Sequence, residues 1–372
     1  MKIAIDARGV NWYKGTGIGT YTDKILKYMI ETHKENFYQI YWSGEDYKRF
    51  ENDNTKIVIA SKKHHRFFEQ HYFPKNLEKE KVDIYHIPQN GIGICDNITC
   101  KKVVTVHDLI PYILPETVGR GYLSKFLKEM PRIVELCDGI ITVSECSKRD
   151  ILKFFSIDED KVFVTPLAAD SKYKPLNKDE CQETLRKDYD IDKPFILYIG
   201  GFSPRKNVSS LMVAFSKIFK NLDQEHDLVI VGANKDDGNV LKQLGSDLNI
   251  VSNIKFTGFV PEDLLPIFYN ACKVFAYPSL YEGFGLPPLE AMSCGTPVIA
   301  SNISSIPEVV GDGGILIDPF NMKNLMYSLE ALLNDKGIRD ELTSKALRRA
   351  SDFSWEKTSE KTIEAYKKIL NE

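Results

Sequence analysis

Short apolar runs alternate with longer stretches in which apolar positions recur every three or four residues, along nearly the whole chain. The short runs read as buried strands and the longer stretches as amphipathic helices. In the first half, strands are predicted at Lys2–Asp6, Phe37–Trp42, Lys56–Ala60, Ile84–His86, Val103–Val106, Gly139–Val143 and Val162–Val164. Helices are predicted there at Gly19–Thr32, Lys125–Cys137 and Glu145–Phe155. From about residue 194 the pattern restarts, with strands at Phe195–Ile199, Asp227–Val231, Ile254–Thr257, Val274–Tyr277, Val298–Ala300 and Ile315–Ile317. Helices at Val208–Phe219, Val240–Leu248, Pro261–Asn270 and Leu289–Ser293 fit between them. Strand and helix in alternation imply α/β architecture, with parallel sheets covered on both faces. A polar stretch, Ala168–Lys193, punctuated by Pro166, Pro175 and Pro194, separates the two series and predicts two domains, 1–170 and 188–353. Met322–Asp335, Asp340–Ala350 and Ser354–Leu370 read as helices, and Trp355 and Tyr366 mark the last as one that packs on another surface.

Length and composition agree with that division. The 372 residues are many for one core, and 43% hydrophobic with 27% charged residues is ordinary for a soluble globular protein. A formal net charge of −3 gives a nucleic-acid partner no electrostatic support. Seven cysteines, at 95, 100, 137, 146, 181, 272 and 294, show no zinc-ligand spacing, which fits reduced thiols in a cytoplasmic setting. The opening Met-Lys-Ile-Ala-Ile-Asp reads as a strand rather than a signal peptide, and no apolar run has the length a bilayer needs. Lys62–Lys81 mixes Lys, Arg and His with Phe67, Phe68, Tyr72 and Phe73. A helix packed on the first domain with charged edges is the reading preferred for it. Peripheral contact with the inner membrane face, or with a lipid-linked acceptor, is the other.

Four segments carry chemistry. Glu282-Gly-Phe-Gly-Leu-Pro-Pro-Leu-Glu290 follows a strand and opens a helix. Glycine leaves backbone amides bare there, amides at a helix N-terminus attract phosphate, and a neighbouring carboxylate accepts hydrogen bonds from sugar hydroxyls. Gly200-Gly-Phe-Ser-Pro-Arg-Lys-Asn207 lies at the carboxyl end of the first strand of the second domain, where α/β sheets bind ligands. Arg205 and Lys206 suit a diphosphate, one as a fork and the other as a point charge. Gly15-Thr-Gly-Ile-Gly-Thr20 sits at a helix start but lacks the G-x-G-x-x-G spacing of dinucleotide binding. His107-Asp108 follows the strand Val103–Val106, and a histidine there can bond a hydroxyl or shift charge near a reacting centre. The acidic pairs Asp158-Glu-Asp160, Asp188-Tyr-Asp190 and Asp190-Ile-Asp192 fall in turns or in the polar stretch and read as solvated. His64, His65 and His71 form no metal set, so no metal is expected.

In this order the four segments resemble the retaining glycosyltransferases of family 4, also called group 1, over nearly the whole chain. The specific part is Gly258-Phe259, Pro278-Ser279, Glu282 through Glu290, Ala291-Met-Ser-Cys-Gly-Thr-Pro-Val298, Pro307-Glu308 and Gly311–Pro319. Gly-Thr-Gly-Ile-Gly with Tyr21, and His107-Asp108-Leu-Ile-Pro111, resemble the mannosyltransferase-like branch that builds bacterial surface polysaccharides. The resemblance implies the GT-B fold, two Rossmann-like domains with parallel sheets facing across a cleft, with the C-terminal helix (about 354–372) packed back on the acceptor-binding first domain. It implies a nucleotide-sugar donor, a glycan or lipid-linked acceptor, and no metal or other cofactor. Carried over by residue, Glu290 binds the ribose and Arg205 and Lys206 neutralise the diphosphate. The amides of Phe284, Gly285 and Leu286, within the Gly283–Leu286 turn, hold sugar and phosphate oxygens. Glu282 contacts the sugar, Gly258 and Phe259 border the donor, Gly17 and Gly19 face the diphosphate, and His107 with Asp108 sits by the transferred sugar. Leu167-Ala-Ala-Asp170 departs from the family pattern, which has a glycine there.

The resemblance makes mannose from GDP-mannose the first choice of donor, with glucosyl or N-acetylglucosaminyl transfer from a UDP-sugar as the alternative. An epimerase or hydrolase of nucleotide-sugars is a close rival. From other classes, a nicotinamide-dependent dehydrogenase leaves Glu282–Glu290 unexplained, and a non-catalytic carbohydrate-binding subunit leaves the intact charged residues unexplained.

Overall fold

The computed structural model describes residues 1–233 and 236–371. They form two compact units, one of Met1–Leu167 with the chain end from Ser354, the other of Ala168–Phe353.

The first unit is built on seven parallel strands: β1 (Lys2–Asp6), β2 (Phe37–Trp42), β3 (Thr55–Ile59), β4 (Ile84–Ile87), β5 (Lys101–Val106), β6 (Gly139–Thr142) and β7 (Val162–Val164), in the order β3-β2-β1-β4-β5-β6-β7. Ile3, Ala4, Ile5, Ile84, Tyr85, Val103 and Val104 are wholly buried, which is why the central strands read as unbroken apolar runs. Strand order reverses between β1 and β4, and such a reversal opens a crevice at the strands' carboxyl ends. The second unit repeats the plan with β8 (Phe195–Ile199), β9 (Asp227–Val231), β10 (Ile254–Gly258), β11 (Val274–Tyr277), β12 (Val298–Ser301) and β13 (Ile315–Ile317), ordered β10-β9-β8-β11-β12-β13. Its reversal lies between β8 and β11.

All thirteen predicted strands form, with ends moved by at most two residues. The polar stretch Ala168–Lys193 needs correction, because it holds the helix Lys178–Tyr189. That helix buries only Cys181 and Leu185, too few apolar positions to show a period, and is capped by Asn177 Oδ1 on the amides of Asp179 (3.0 Å) and Glu180 (3.4 Å). Lys62–Lys81 is helical from His65 to Lys79, with Phe68–Tyr72 widened to a π turn, and buries Phe73 and Leu77. The C-terminal helix Trp355–Asn371 packs on the first unit, where the Tyr366 hydroxyl meets His86 Nδ1 at 2.7 Å and Thr358 Oγ1 donates to Pro166 O at 2.6 Å. None of the described helices is long and apolar enough to cross a membrane.

Candidate active site

In the second unit, the loops after β8 and β11 meet at the point of strand reversal. After β8 the chain passes Gly200 and makes a single 3-10 turn, Pro204–Lys206, which ends at Asn207 in the left-handed region (φ 55°). Leu280 N donates to Arg205 O at 2.7 Å and ties this turn to the segment that follows β11. Two short connections thus bring Arg205 and Lys206 to Glu282, 76 or more residues away in sequence.

Glu282 is buried, with both carboxylate oxygens engaged. Oε1 accepts from Lys206 Nζ at 2.6 Å and from the Tyr277 hydroxyl at 3.0 Å, and Oε2 lies 3.1 Å from Arg205 Nη1. Lys206 also donates to Tyr277 Oη at 2.7 Å, and Arg205 Nη1 to Tyr281 O at 3.1 Å. Burial alone raises the Glu282 carboxyl, but Lys206 and then Arg205 outweigh it and hold it below the usual glutamate value. The three side chains carry one net positive charge. Glu282 therefore serves first as the clamp that orders the cations.

The turn after Glu282 is fixed from below. Ser305 Oγ lies 2.9 Å from Glu282 O and 2.7 Å from Phe284 O, and Ser304 Oγ accepts from Glu282 N at 3.2 Å. Gly285 has φ 120°, and a Cβ there would fall 2.8 Å from Ile306 Cδ1, so only glycine fits. The helix Leu286–Ser293 begins with Pro287 and Pro288, which have no N–H to offer. The expected row of helix amides is therefore shorter than its position suggests, and the donors are those of the turn. Among the described residues, the amides of Phe284, Gly285 and Leu286 have no protein acceptor.

Glu290 lies one helical turn further on, half-buried, with the Tyr269 hydroxyl donating to Oε2 at 2.9 Å. Burial pushes its carboxyl up to about 7; the Tyr269 bond opposes this and the nearby Glu262 charge adds to it. Gly258 ends β10 with φ 73° and open space around it, and Phe259 beside it is 76% exposed.

In the first unit, Gly17 opens the helix Gly17–Thr32, and the Gly19 amide donates to Thr16 Oγ1 at 3.4 Å. A Cβ on Gly19 would sit 2.4 Å from Tyr13 O, so this glycine answers a packing demand that its motif did not reveal. His107 is buried, with Nε2 at 2.9 Å from Pro88 O and its amide on Asn90 Oδ1 at 3.0 Å. Burial lowers its proton affinity to about 4 despite the Pro88 bond, so the ring is neutral, Nε2 carries the hydrogen, and Nδ1 is an acceptor. Asp108 Oδ1 accepts from Ile110 N at 3.0 Å, which closes the turn into the short helix Ile110–Ile113.

Two features went unread in the sequence. Tyr21 meets the His107 ring edge-on at 4.9 Å, and its hydroxyl bonds Thr105 Oγ1 (3.1 Å), which meets His86 Nε2 (2.7 Å), which in turn is joined to Tyr366. At the end of β1, Arg8 is fully buried between Asp6 and Glu69 beside a cavity of about 840 Å³. Asp6-Ala-Arg8 directly after a strand was a signal for the second; no spacing signals the first. Among the described residues, no cluster of His, Cys, Asp or Glu is arranged to hold a metal ion.

Two Rossmann-like units, with cations and a glycine turn at the strand reversal of the second, define a GT-B glycosyltransferase. The chain belongs to the family 4 (group 1) glycosyltransferases. Residues 16–173 match the model of Glycosyltransferase Family 4, and residues 182–349 that of Glycosyl transferases group 1. It is 36% identical over 267 residues to O-antigen chain mannosyltransferase B of Escherichia coli, covering 72% of this chain and 70% of that one. It is 32% identical over 279 residues to the serotype-specific mannosyltransferase WbdA of Escherichia coli, where the match covers 74% of this chain but only 34% of that protein. Among solved structures, sucrose-phosphate synthase from Thermosynechococcus elongatus superposes with a TM-score of 0.77 at 18% identity, covering 100% of this chain and 99% of that one. Anabaena HepE in complex with UDP and glucose gives 0.76 at 18% identity, covering 98% of each. At these identities the structural likeness speaks for the fold.

Proposed function

We propose that this glycosyltransferase moves a hexose from a nucleotide-sugar to a glycan or lipid-linked acceptor in surface polysaccharide or glycoconjugate synthesis, retaining the anomeric configuration. Mannose from GDP-mannose is the first choice, supported by the mannosyltransferase relatives. The observation that carries the reading is the Glu282 clamp, which holds Arg205 and Lys206 together beside a turn of unpartnered amides. Both cations and the amides of Phe284, Gly285 and Leu286 receive the diphosphate, while the Glu290 carboxylate accepts the ribose hydroxyls. As the C1–O bond breaks through an oxocarbenium-like state, the net positive charge of the clamp stabilises the departing diphosphate, and no metal is asked for. A leaving phosphate oxygen then takes the acceptor's proton on the face it has just vacated. On the first unit, neutral His107 offers Nδ1 to a hydroxyl. Exposed Phe259 offers a flat apolar face to the base.

The test is a panel of nucleotide-sugars assayed for binding and slow hydrolysis, followed by the anomeric configuration of the product by NMR. Arg205→Ala should cost about 3–4 kcal/mol of barrier, the worth of one preorganised donor. Unchanged transfer in an Arg205→Ala, Glu290→Ala double variant overturns the donor site, and an inverted product overturns the stereochemistry. Turnover of a UDP-sugar in place of GDP-mannose reassigns the donor alone.

A further inference from the structure

The cavity in the first unit has a construction that the donor chemistry does not use. Its walls come from the helical segment after His65, the loop around Gly93, and the helix Arg120–Leu136. At about 840 Å³ it has the size of a small-molecule site. Glu69 stands in its wall with only 12% of the side chain exposed, 2.9 Å from Arg8 Nη2. Arg8 is itself immobilised: Nε and Nη2 grip the two oxygens of Asp6 at 2.7 and 2.6 Å, and its guanidinium lies 4.5 Å from the Trp12 ring and 4.9 Å from the Phe73 ring. A Cβ on Gly93 would come within 3.0 Å of the Glu69 carboxyl, so glycine leaves the room this carboxylate occupies. Two carboxylates share one guanidinium here, which leaves Glu69 with acceptor capacity to spare. Trp12 and Tyr13 line the same space.

The rest of the lining has the opposite sign. Lys62, Arg66, Lys125 and Lys128 all border the cavity, and among the described residues none is paired with a carboxylate. Four uncompensated cations around one concavity stand out in a chain whose formal net charge is −3. A ligand that satisfies both sets has hydroxyls for Glu69, a ring for the aromatic side chains, and more than one negative charge for the cations.

We propose that this cavity binds the acceptor, and that the acceptor is a phosphate- or diphosphate-bearing glycan with its sugar against Trp12, Tyr13 and Glu69 and its phosphate on Lys62, Arg66, Lys125 and Lys128. The assignment rests on the transfer reading above, but its test needs no donor. Calorimetry on the full chain compares an octyl diphosphate-linked hexose with the octyl hexoside that lacks the diphosphate, both below micelle formation. The charged probe binds at least tenfold tighter, the scale of a charge-assisted hydrogen bond. The difference disappears in Lys125→Glu/Lys128→Glu, or in the milder double Gln variant if the first melts early. Glu69→Gln weakens both probes by about the same factor, since it touches the sugar alone. Equal affinity of the two probes for the unaltered chain overturns the proposal, as does a preference that survives removal of both lysine charges. If the lysine variant loses sedimentation with phosphatidylglycerol vesicles yet keeps the soluble preference, the cations serve a bilayer and the proposal falls. Failure of every nucleotide-sugar to turn over would strike the donor reading and leave this binding measurement intact.

Discussion

Glu290 gives the donor site a pH dependence that can be worked out in advance. Its carboxyl titrates near 7 in the unliganded protein because burial disfavours the charge more than the Tyr269 hydroxyl, 2.9 Å away, supports it. Only the ionised form can accept both hydroxyls of a ribose, and that form predominates only above about pH 7. The donor's kcat/KM should therefore fall roughly tenfold per pH unit below that point and level off above it. The bound ribose donates to the carboxylate and draws its proton affinity down, so the limb in kcat lies at lower pH than the limb in kcat/KM. Glu290→Gln keeps the shape and removes the charge. Losing the hydrogen bond to a charged group costs about 1.5–3 kcal/mol, or roughly ten- to hundredfold in kcat/KM, and the acid limb should vanish. The assay is donor hydrolysis or transfer measured from about pH 5.5 to about pH 8.5 in both proteins, a range set by the ordinary titration window around a carboxyl near neutrality. A flat profile in the unaltered chain, or an acid limb that persists in Glu290→Gln, refutes the assignment of Glu290 to the ribose.

Other outcomes follow from packing and burial. Gly19→Ala sets a methyl 2.4 Å from Tyr13 O and should destabilise the first unit by about 1–3 kcal/mol, the usual cost of overpacking, read from urea midpoints. Tyr366→Phe strips the 2.7 Å partner from buried His86 Nδ1 and should cost about 1–3 kcal/mol, visible as a lower melting temperature. His86 and His107 are held neutral, with proton affinities lowered by burial to about 3 and about 4. The unfolded chain takes up both protons below the ordinary histidine value of 6.5, so their contribution is full above that pH and is lost as pH falls. For two protons the slope approaches about 2.7 kcal/mol per pH unit, and His107→Asn should halve it in denaturation series at several pH values.

The strands were legible because each is buried on both faces, so nothing interrupts runs such as Val274-Phe-Ala-Tyr277. The helix Lys178–Tyr189 was not, since two buried residues among twelve make no visible period. Its cap was the overlooked clue: Asn177 Nδ2 also donates to Glu180 Oε1 at 3.1 Å, an Asn-x-x-Glu start. At the candidate site the residues could be named from their motifs but their relations could not. Glu282 as the clamp of Arg205 and Lys206 depends on two loops meeting over adjacent strands, and the prolines that shorten the supply of helix amides matter only once the helix start is known. The cavity in the first unit was least accessible, because Trp12, Glu69 and Lys125 come from three separate segments that a linear pattern cannot join.

The return of the chain to its first unit at Ser354 makes the two halves unequal as engineering parts. The donor half runs without interruption from Ala168 to Phe353 and can be excised or exchanged as one continuous cassette. The other half exists only when two distant stretches of the gene are read together. A truncation at Leu167 strips away the Trp355–Asn371 helix and leaves His86 without Tyr366. Chimaeras that pair this acceptor half with a foreign donor half therefore need both junctions, and a single crossover yields a protein with an open flank.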